Sequence, residues 1–332
     1  IAGSVGVGVG KPAATTSGGG AGGQGGTGVG VAISGAVTVN VVDNRTVSYI
    51  DQGSHVTSLA GAAVSLDAKD NSQIMADAGG VSLAVGSGEK TGVGVALGGS
   101  VAVNVVSNET LAYISDSTIG TDATPVGTVS VTAAADSRIW ALTIAGSLSV
   151  GYGKSQFGGA LAGSVAGSVN SVRNTVEAGV SDSAVVGSAG LSLSATDGTA
   201  IIANAVGGSL SVGAGKTGLA MAVGGAFAVN AIGNTVRSYV DGSNLALNGT
   251  LAIASASDSS IWGLAVGAAV GVGVGSAGGT GASLSIGASV ARNEIGNATE
   301  SYIKDSGSIL TGGGDVTIGA VDSAAIKTYA VA

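Results

Sequence analysis

The amino-acid sequence predicts an all-β fold: a repetitive, β-helix-like solenoid of five repeats of about 60–66 residues, with long Gly/Val strands that are candidates for stacked hairpins. Three observations carry this expectation. A frame with two Asn four residues apart recurs five times, its first Asn at Asn40, Asn104, Asn170, Asn230 and Asn293, with spacings of 64, 66, 60 and 63 residues. Around these frames, Val, Leu and Ile alternate with Gly, Ala and Ser at period two, which is the pattern of a strand. Glycine supplies 62 of 332 residues, and each costs an interior helix position about 1 kcal/mol relative to Ala, so helix is not expected.

The second repeat shows the elements in order. Val93, Val95, Leu97, Val101, Val103 and Val105 alternate with Gly, Ala, Ser and Asn, predicting a long strand with one Val face and one Gly/Ala face. Asn108 marks a bend, and 110–114 reads as a short strand. Asp116-Ser117 reads as a turn in which Asp caps its own backbone. Val129, Val131 and Ala133 alternate in a further strand, Asp136-Ser137 reads as another turn, and 139–150 forms a second long strand. The chain then turns at Gly151-Tyr152-Gly153-Lys154 into the next copy. Each repeat thus holds two short and two long strands. Stacking them about 4.8 Å apart lays equivalent residues into ladders. Expected are Asn on Asn in the five positions above and Tyr on Tyr at Tyr49, Tyr113, Tyr239 and Tyr302, with Gly179 interrupting. Asp on Asp is expected at Asp70, Asp136, Asp197, Asp258 and Asp322, with an Ile three or four residues after each. Gly/Ala faces let two sheets approach more closely than the usual ~10 Å. The spacing leaves open whether a repeat makes one wide coil or two to three narrow ones.

The repeats divide the chain approximately at 1–88, 89–152, 153–214, 215–275 and 276–332, with a flexible insertion at 12–27 rich in Gly, Ala, Ser and Thr. Ile1-Ala2-Gly3-Ser4 matches Ile144-Ala145-Gly146-Ser147, so the chain is expected to be a window of a longer array.

Composition narrows the function. Only 10% of residues are charged, 45% are hydrophobic, 3% are aromatic, and mean hydropathy is +0.53. Ser, Thr, Asn and backbone must supply most of the polar surface, unless much of that surface is covered by more of the same material. The net charge of −8 disfavours nucleic acid and anionic membranes as partners. The absence of Cys excludes disulfides and thiolate metal sites and suits an exported bacterial protein.

No motif points to catalysis. Gly213-Ala214-Gly215-Lys216-Thr217 lacks the first glycine of a phosphate-binding loop, since Leu210 stands there, and reads as a turn. The Asn-x-Thr sequons at Asn44, Asn108, Asn248 and Asn297 are read as bends or ladders, because Asn174 and Asn234 fill the same frame without a sequon. Asp116, Asp182 and Asp305 are the weak candidates for a cation; Ca²⁺ is the one candidate cofactor, and it needs six or more oxygens. His55, the single His, reads as a loop residue. Trp140 and Trp262 share one phase two repeats apart and read as strand-end packing or, less simply, as sugar-stacking surfaces.

The frame Val-Ala-Val-Asn-x-x-x-Asn-x-Thr-x-Ala-Tyr-Ile-x-Asp-Ser, seen at 101–117, resembles the repeats of large Gram-negative filamentous adhesins of the haemagglutinin-like and leukotoxin families. The resemblance covers essentially the whole chain. It implies a right-handed parallel β-helix, export across the outer membrane, and attachment as a stalk or fibre; it carries no catalytic residues. The expected function is therefore a structural or adhesive segment of an extracellular bacterial surface fibre, and not an enzyme. The alternative is a self-assembling multi-chain subunit of a surface appendage or layer. Expected partners are further repeats of the same chain, as a homo-oligomer or filament, with a host or prey cell surface as a further candidate. Neither nucleic acid nor a small-molecule substrate is expected.

Overall fold

The computed structural model describes residues 2–11, 26–59 and 61–332. Most of the insertion expected at 12–27 lies outside the described residues; Thr27 opens a strand. The described residues form nineteen strands and no helix. Every strand pair is parallel, and equivalent residues of successive repeats face each other. Each full repeat gives two long segments to a nine-stranded sheet and one short strand to each of two five-stranded sheets.

One long set of strands comprises β1 (Ala2–Gly10), β5 (Val64–Gly88), β9 (Thr128–Gly153), the first parts of β13 (Gly190–Ile232) and β16 (Leu251–Ile295), and β19 (Val316–Val331). A second set comprises β2 (Thr27–Val42), β6 (Thr91–Val106), β10 (Phe157–Val172) and the last parts of β13 and β16. Because β13 and β16 run through both sets, the nine strands make one sheet folded back on itself and nearly closed. The two layers meet face to face as a blade.

The short strands β3 (Arg45–Ile50), β7 (Glu109–Ser115), β11 (Thr175–Ser181), β14 (Thr235–Asp241) and β17 (Ala298–Lys304) form a second sheet. The third holds β4 (His55–Val56), β8 (Thr118–Ile119), β12 (Ala184–Ser188), β15 (Asn244–Leu247) and β18 (Ile309–Leu310). These sheets and the first part of the long strands enclose the main core. Its side chains come in rows: Val129, Leu191 and Leu251; Ile114, Val180 and Val240; Ile119, Val185 and Leu245. A second cluster, where body meets blade, packs Ile74, Ile139, Ile201 and Ile261 against Val106, Val172 and Ile232.

Within the blade the small residues face inward. One rank consists of Gly10, Gly86, Gly151, Gly213 and Gly273. A Cβ added to Gly151 would stand 1.8 Å from the Gly159 carbonyl oxygen of the other layer, and one on Gly213 1.9 Å from that of Leu219. The layers are therefore in backbone contact, and any side chain larger than hydrogen in this rank would separate them. The same seam holds Ser147, Ser149, Ser209 and Ser211, whose buried hydroxyls have no hydrogen-bond partner among the described residues.

Three expectations are corrected. Asp136-Ser137 is not a turn: β9 runs unbroken through it, with Asp136 pointing outward beside Arg138 and Ser137 inward, so the alternation never lapses. The expected third strand and second long strand are one, and the remaining strand is the short β8. The five Asp do not stack on one another. Asp70, Asp197 and Asp322 share an inward row with Ala135 and Ser257, whereas Asp136 and Asp258 belong to the next row, which faces outward. A shift of one residue changes the face of the sheet. Carboxylates one strand apart in a buried row would repel each other, and the alternation with Ala and Ser removes that repulsion.

Gly151→Ala is expected to lower stability by about 1–3 kcal/mol, because the layers must part locally. Ser149→Ala, in the same seam, is expected to leave stability unchanged or raise it by about 1 kcal/mol by removing an unpaired buried hydroxyl. Urea unfolding of both variants reads the contrast; equal losses would contradict a seam limited by backbone contact.

Candidate functional site

Two features are candidates for function: the ladders that hold the stack, and the outer faces of the blade.

The first Asn of each frame points inward, where a polar side chain needs a partner. It finds its own equivalent. Asn40 Nδ2 donates to Asn104 Oδ1 (2.8 Å), Asn104 to Asn170 (2.7 Å), Asn170 to Asn230 (2.7 Å) and Asn230 to Asn293 (2.6 Å). Asn293 donates onward to Thr328. Each interior amide is both donor and acceptor, and Asn104, Asn170 and Asn230 are buried.

The second Asn works differently. The backbone N–H of Asn44, Asn174 and Asn234 donates to the Oδ1 of Asn108, Asn234 and Asn297 respectively. The side-chain amides reach across to the buried Asp row. Asp70 receives Asn44 (3.1 Å) and Asn108 (2.9 Å); Asp197 receives Asn174 (2.9 Å), Asn234 (2.6 Å) and Thr199 (2.8 Å). One carboxylate thus ties two coils together, which gives the stack a two-coil period. Asp197 is only 3% exposed. Burial pushes its carboxyl above the usual carboxylate range, and hydrogen bonds from Asn174, Thr199 and Asn234 pull the other way.

On the outer side of the short strands, Tyr49 stacks on Tyr113 and Tyr239 on Tyr302, with ring centroids 5.5 Å apart in both pairs. Gly179 is where the ladder breaks, and a Cβ there would lie 2.5 Å from the Tyr239 ring, which covers the glycine. Beside this row Arg237 lies between Glu177 (3.5 Å) and Glu300 (2.8 Å), so charges alternate along the axis. Burial, reinforced by Glu177, pushes the Tyr239 hydroxyl up to about 12.

Asp116, Asp182 and Asp305 occupy the turn after the short strands with φ of 44°, 47° and 46°. Asp tolerates this left-handed conformation. The expected capping by Asp is corrected: the next residue does it, Ser117 Oγ donating to Ser115 O (2.8 Å) and Ser183 Oγ to Ser181 O (2.7 Å). The same serines link coils, as the N–H groups of Ser117, Ser183 and Ser243 donate to Ser183, Ser243 and Ser306 Oγ. This serine ladder was visible in the sequence only as part of the Asp-Ser turn. Among the described residues no group of three or more His, Cys, Asp or Glu is placed to hold a metal ion. His55 is exposed at the edge of this turn region.

The outer faces of the blade invert the usual order. Ile33 is 69% exposed and Val37 65%, and Val29, Val31, Val39, Val41, Val165, Leu219, Met221, Leu284 and Ile286 are also exposed. All lie on the outer face of the second layer. On that face only Arg292 and Glu294 are charged, and they pair with each other at 3.1 Å. The sequence led to the expectation that sheets approach through the Gly/Ala face, and the glycine rank, where a Cβ on Gly151 would stand 1.8 Å from the opposite carbonyl oxygen, places that face inside and the Val face outside. No helix among the described residues is long and apolar enough to cross a membrane.

No protein-family model matches this chain, and no curated protein matches it.

Asn170→Ala is expected to cost about 1–3 kcal/mol, since it leaves the Asn104 donor and the Asn230 acceptor buried and unpaired; chemical denaturation measures it. Because folding raises the Asp197 pKa, its contribution to stability is whole below the unfolded value of 3.8 and is lost as pH rises through the folded value. Carboxyl carbon-13 shifts are expected to give Asp197 a midpoint above 3.8, and a midpoint at or below it would contradict the dominance of burial.

Proposed function

We propose that this chain is a structural and adhesive segment of an extracellular bacterial surface fibre. It is a β-solenoid whose coils stack along one axis and whose second-layer blade face packs against another copy. The single observation that carries this reading is the apolar outer face of the second layer, whose charged side chains among the described residues are the mutually paired Arg292 and Glu294. Soluble proteins rarely expose contiguous apolar patches of more than a few hundred Å². Five strands about 4.8 Å apart and about sixteen residues long present roughly 1,200 Å², more than the ~800 Å² per partner of a stable interface. Equivalent residues of successive repeats line up across the face, so a second copy can match it row for row. The remaining features suit a passive, durable role: the potential reactive groups either repeat as structural rows or stand alone, and the absence of Cys suits export. The alternative of a multi-chain appendage or layer shares this lateral contact and differs in how many chains meet.

Sedimentation velocity over a concentration series tests the reading. The chain is expected to self-associate, and Val37→Lys with Val165→Lys to return it to monomer with an unchanged β circular dichroism spectrum. Electron microscopy of the associated material is expected to show laterally packed elongated particles. A chain that stays monomeric throughout, or that inserts into lipid vesicles in place of self-association, overturns it.

A further inference from the structure

On the outer side of the first layer, where body meets blade, three adjacent strands make a trough. Successive rows across β9, β13 and β16 read Asp136, Gly198, Asp258; then Arg138, Ala200, Ser260; then Trp140, Ile202, Trp262. In the first two rows the middle strand carries the small Gly198 and Ala200, flanked by Asp136, Arg138, Asp258 and Ser260, and in the third Ile202 stands between the two Trp. The walls stand two strand spacings apart, about 10 Å, and the cavity is about 460 Å³, within the ~300–1,000 Å³ of small-molecule sites. Trp140 is 49% exposed, and Trp262 is braced edge-on by Tyr329, with centroids 6.5 Å apart at 60°. Both lie within strands and not at strand ends, which corrects the strand-end packing expected from sequence. The arrangement follows the two-coil period, so it does not arise from the simple repeat.

We propose that this trough binds a short neutral oligosaccharide. The polar groups decide the class of ligand. Arg138 folds back on Asp136 through two contacts of 3.1 Å, which satisfies that carboxylate. Asp258 has no hydrogen-bond or ion-pair partner among the described residues and lines the same cavity. A cationic ligand meets the guanidinium, and an anionic one meets Asp258. A neutral polyol meets a donor set, Arg138 and Ser260, and an acceptor, Asp258, beside an aromatic wall. A pyranose ring has that character, with a C–H face for indole and hydroxyls at its rim. The second-layer contact proposed above lies on the opposite side of the blade and leaves the trough open, so the two proposals stand or fall separately.

The chain contains two Trp: Trp140 lines the cavity and Trp262 lies two strands away in the same row, so intrinsic fluorescence reports on the site. Purified chain is titrated with short malto-, cello-, galacto- and N-acetylchito-oligosaccharides, with sulfated oligosaccharides and oligolysine as charged controls. A saturable fluorescence change with at least one neutral series is expected. Trp140→Ala is expected to weaken it about tenfold, the loss of about 1.4 kcal/mol of stacking. Gly198→Leu should abolish it by filling the floor: a Cβ there meets nothing closer than the Ala135 carbonyl oxygen at 4.0 Å, so the fold tolerates the substitution. Circular dichroism of both variants checks the fold. Response only to charged ligands, no response to any neutral series, or binding unaltered in a folded Gly198→Leu overturns the proposal.

Discussion

In each interior repeat an asparagine side chain donates to the equivalent asparagine of one neighbour and accepts from that of the other, and everything else in the molecule depends on the register this fixes. A slip of one residue would turn every inward side chain outward. The slip is forbidden twice, by buried amides that would lose both partners and by glycines opposite backbone carbonyls, where no other residue fits. Polar and steric constraints usually act in different parts of a protein. Here they act on the same strands, the amides near the body and the glycines toward the tip of the blade.

The blade reverses the usual distribution of side chains. Where two sheets pack through large residues, burial of Val and Leu provides the stabilisation. Here the layers are so close that only Gly, Ala and Ser fit between them, and the larger residues are left outside. Conventional packing is confined to the body, where Leu191, Ile114 and Ile119 and their equivalents fill the space between three sheets. The blade alone buries little apolar area, and its outer faces account for the high hydropathy of a chain with so few charges.

Much of this was legible in the sequence, because a repeat exposes its constraints by repetition. The Asn frames marked the ladder, Gly179 marked the break in the tyrosine row, and Gly/Ala alternation marked the close approach of two sheets. What misled was the assumption that like residues always stack. The Ile row at Ile74, Ile139, Ile201, Ile261 and Ile326 is in register, whereas the Asp before it sits four or three residues back in turn and so alternates between the faces. Asp136-Ser137 resembled a turn because both residues favour turns, yet the parity of the strand continued through them. The trough at Trp140 was illegible for a different reason. It depends on small residues in an intervening coil, and a linear sequence gives no hint that Gly198 lies between Asp136 and Asp258.

The spacings of 60 to 66 residues have a simple origin. The segment that follows the third-sheet strands changes in length, from residues 120–127 in one repeat to a single residue, Ala189, after β12 in the next, where the register against β15 also shifts. The turn between layers varies likewise, from Lys216 alone to residues 276–279. With one extra residue in the Asp-Ser turn of the first repeat (Gly53) and of the last (Gly307), these places absorb the differences between repeats, while the long strands stay matched on either side of them. The molecule therefore separates what must be conserved in length from what need not be. Foreign sequence placed in the 120–127 loop would emerge at one flank of the stack at a fixed height, as on a ruled scale, with no rung displaced.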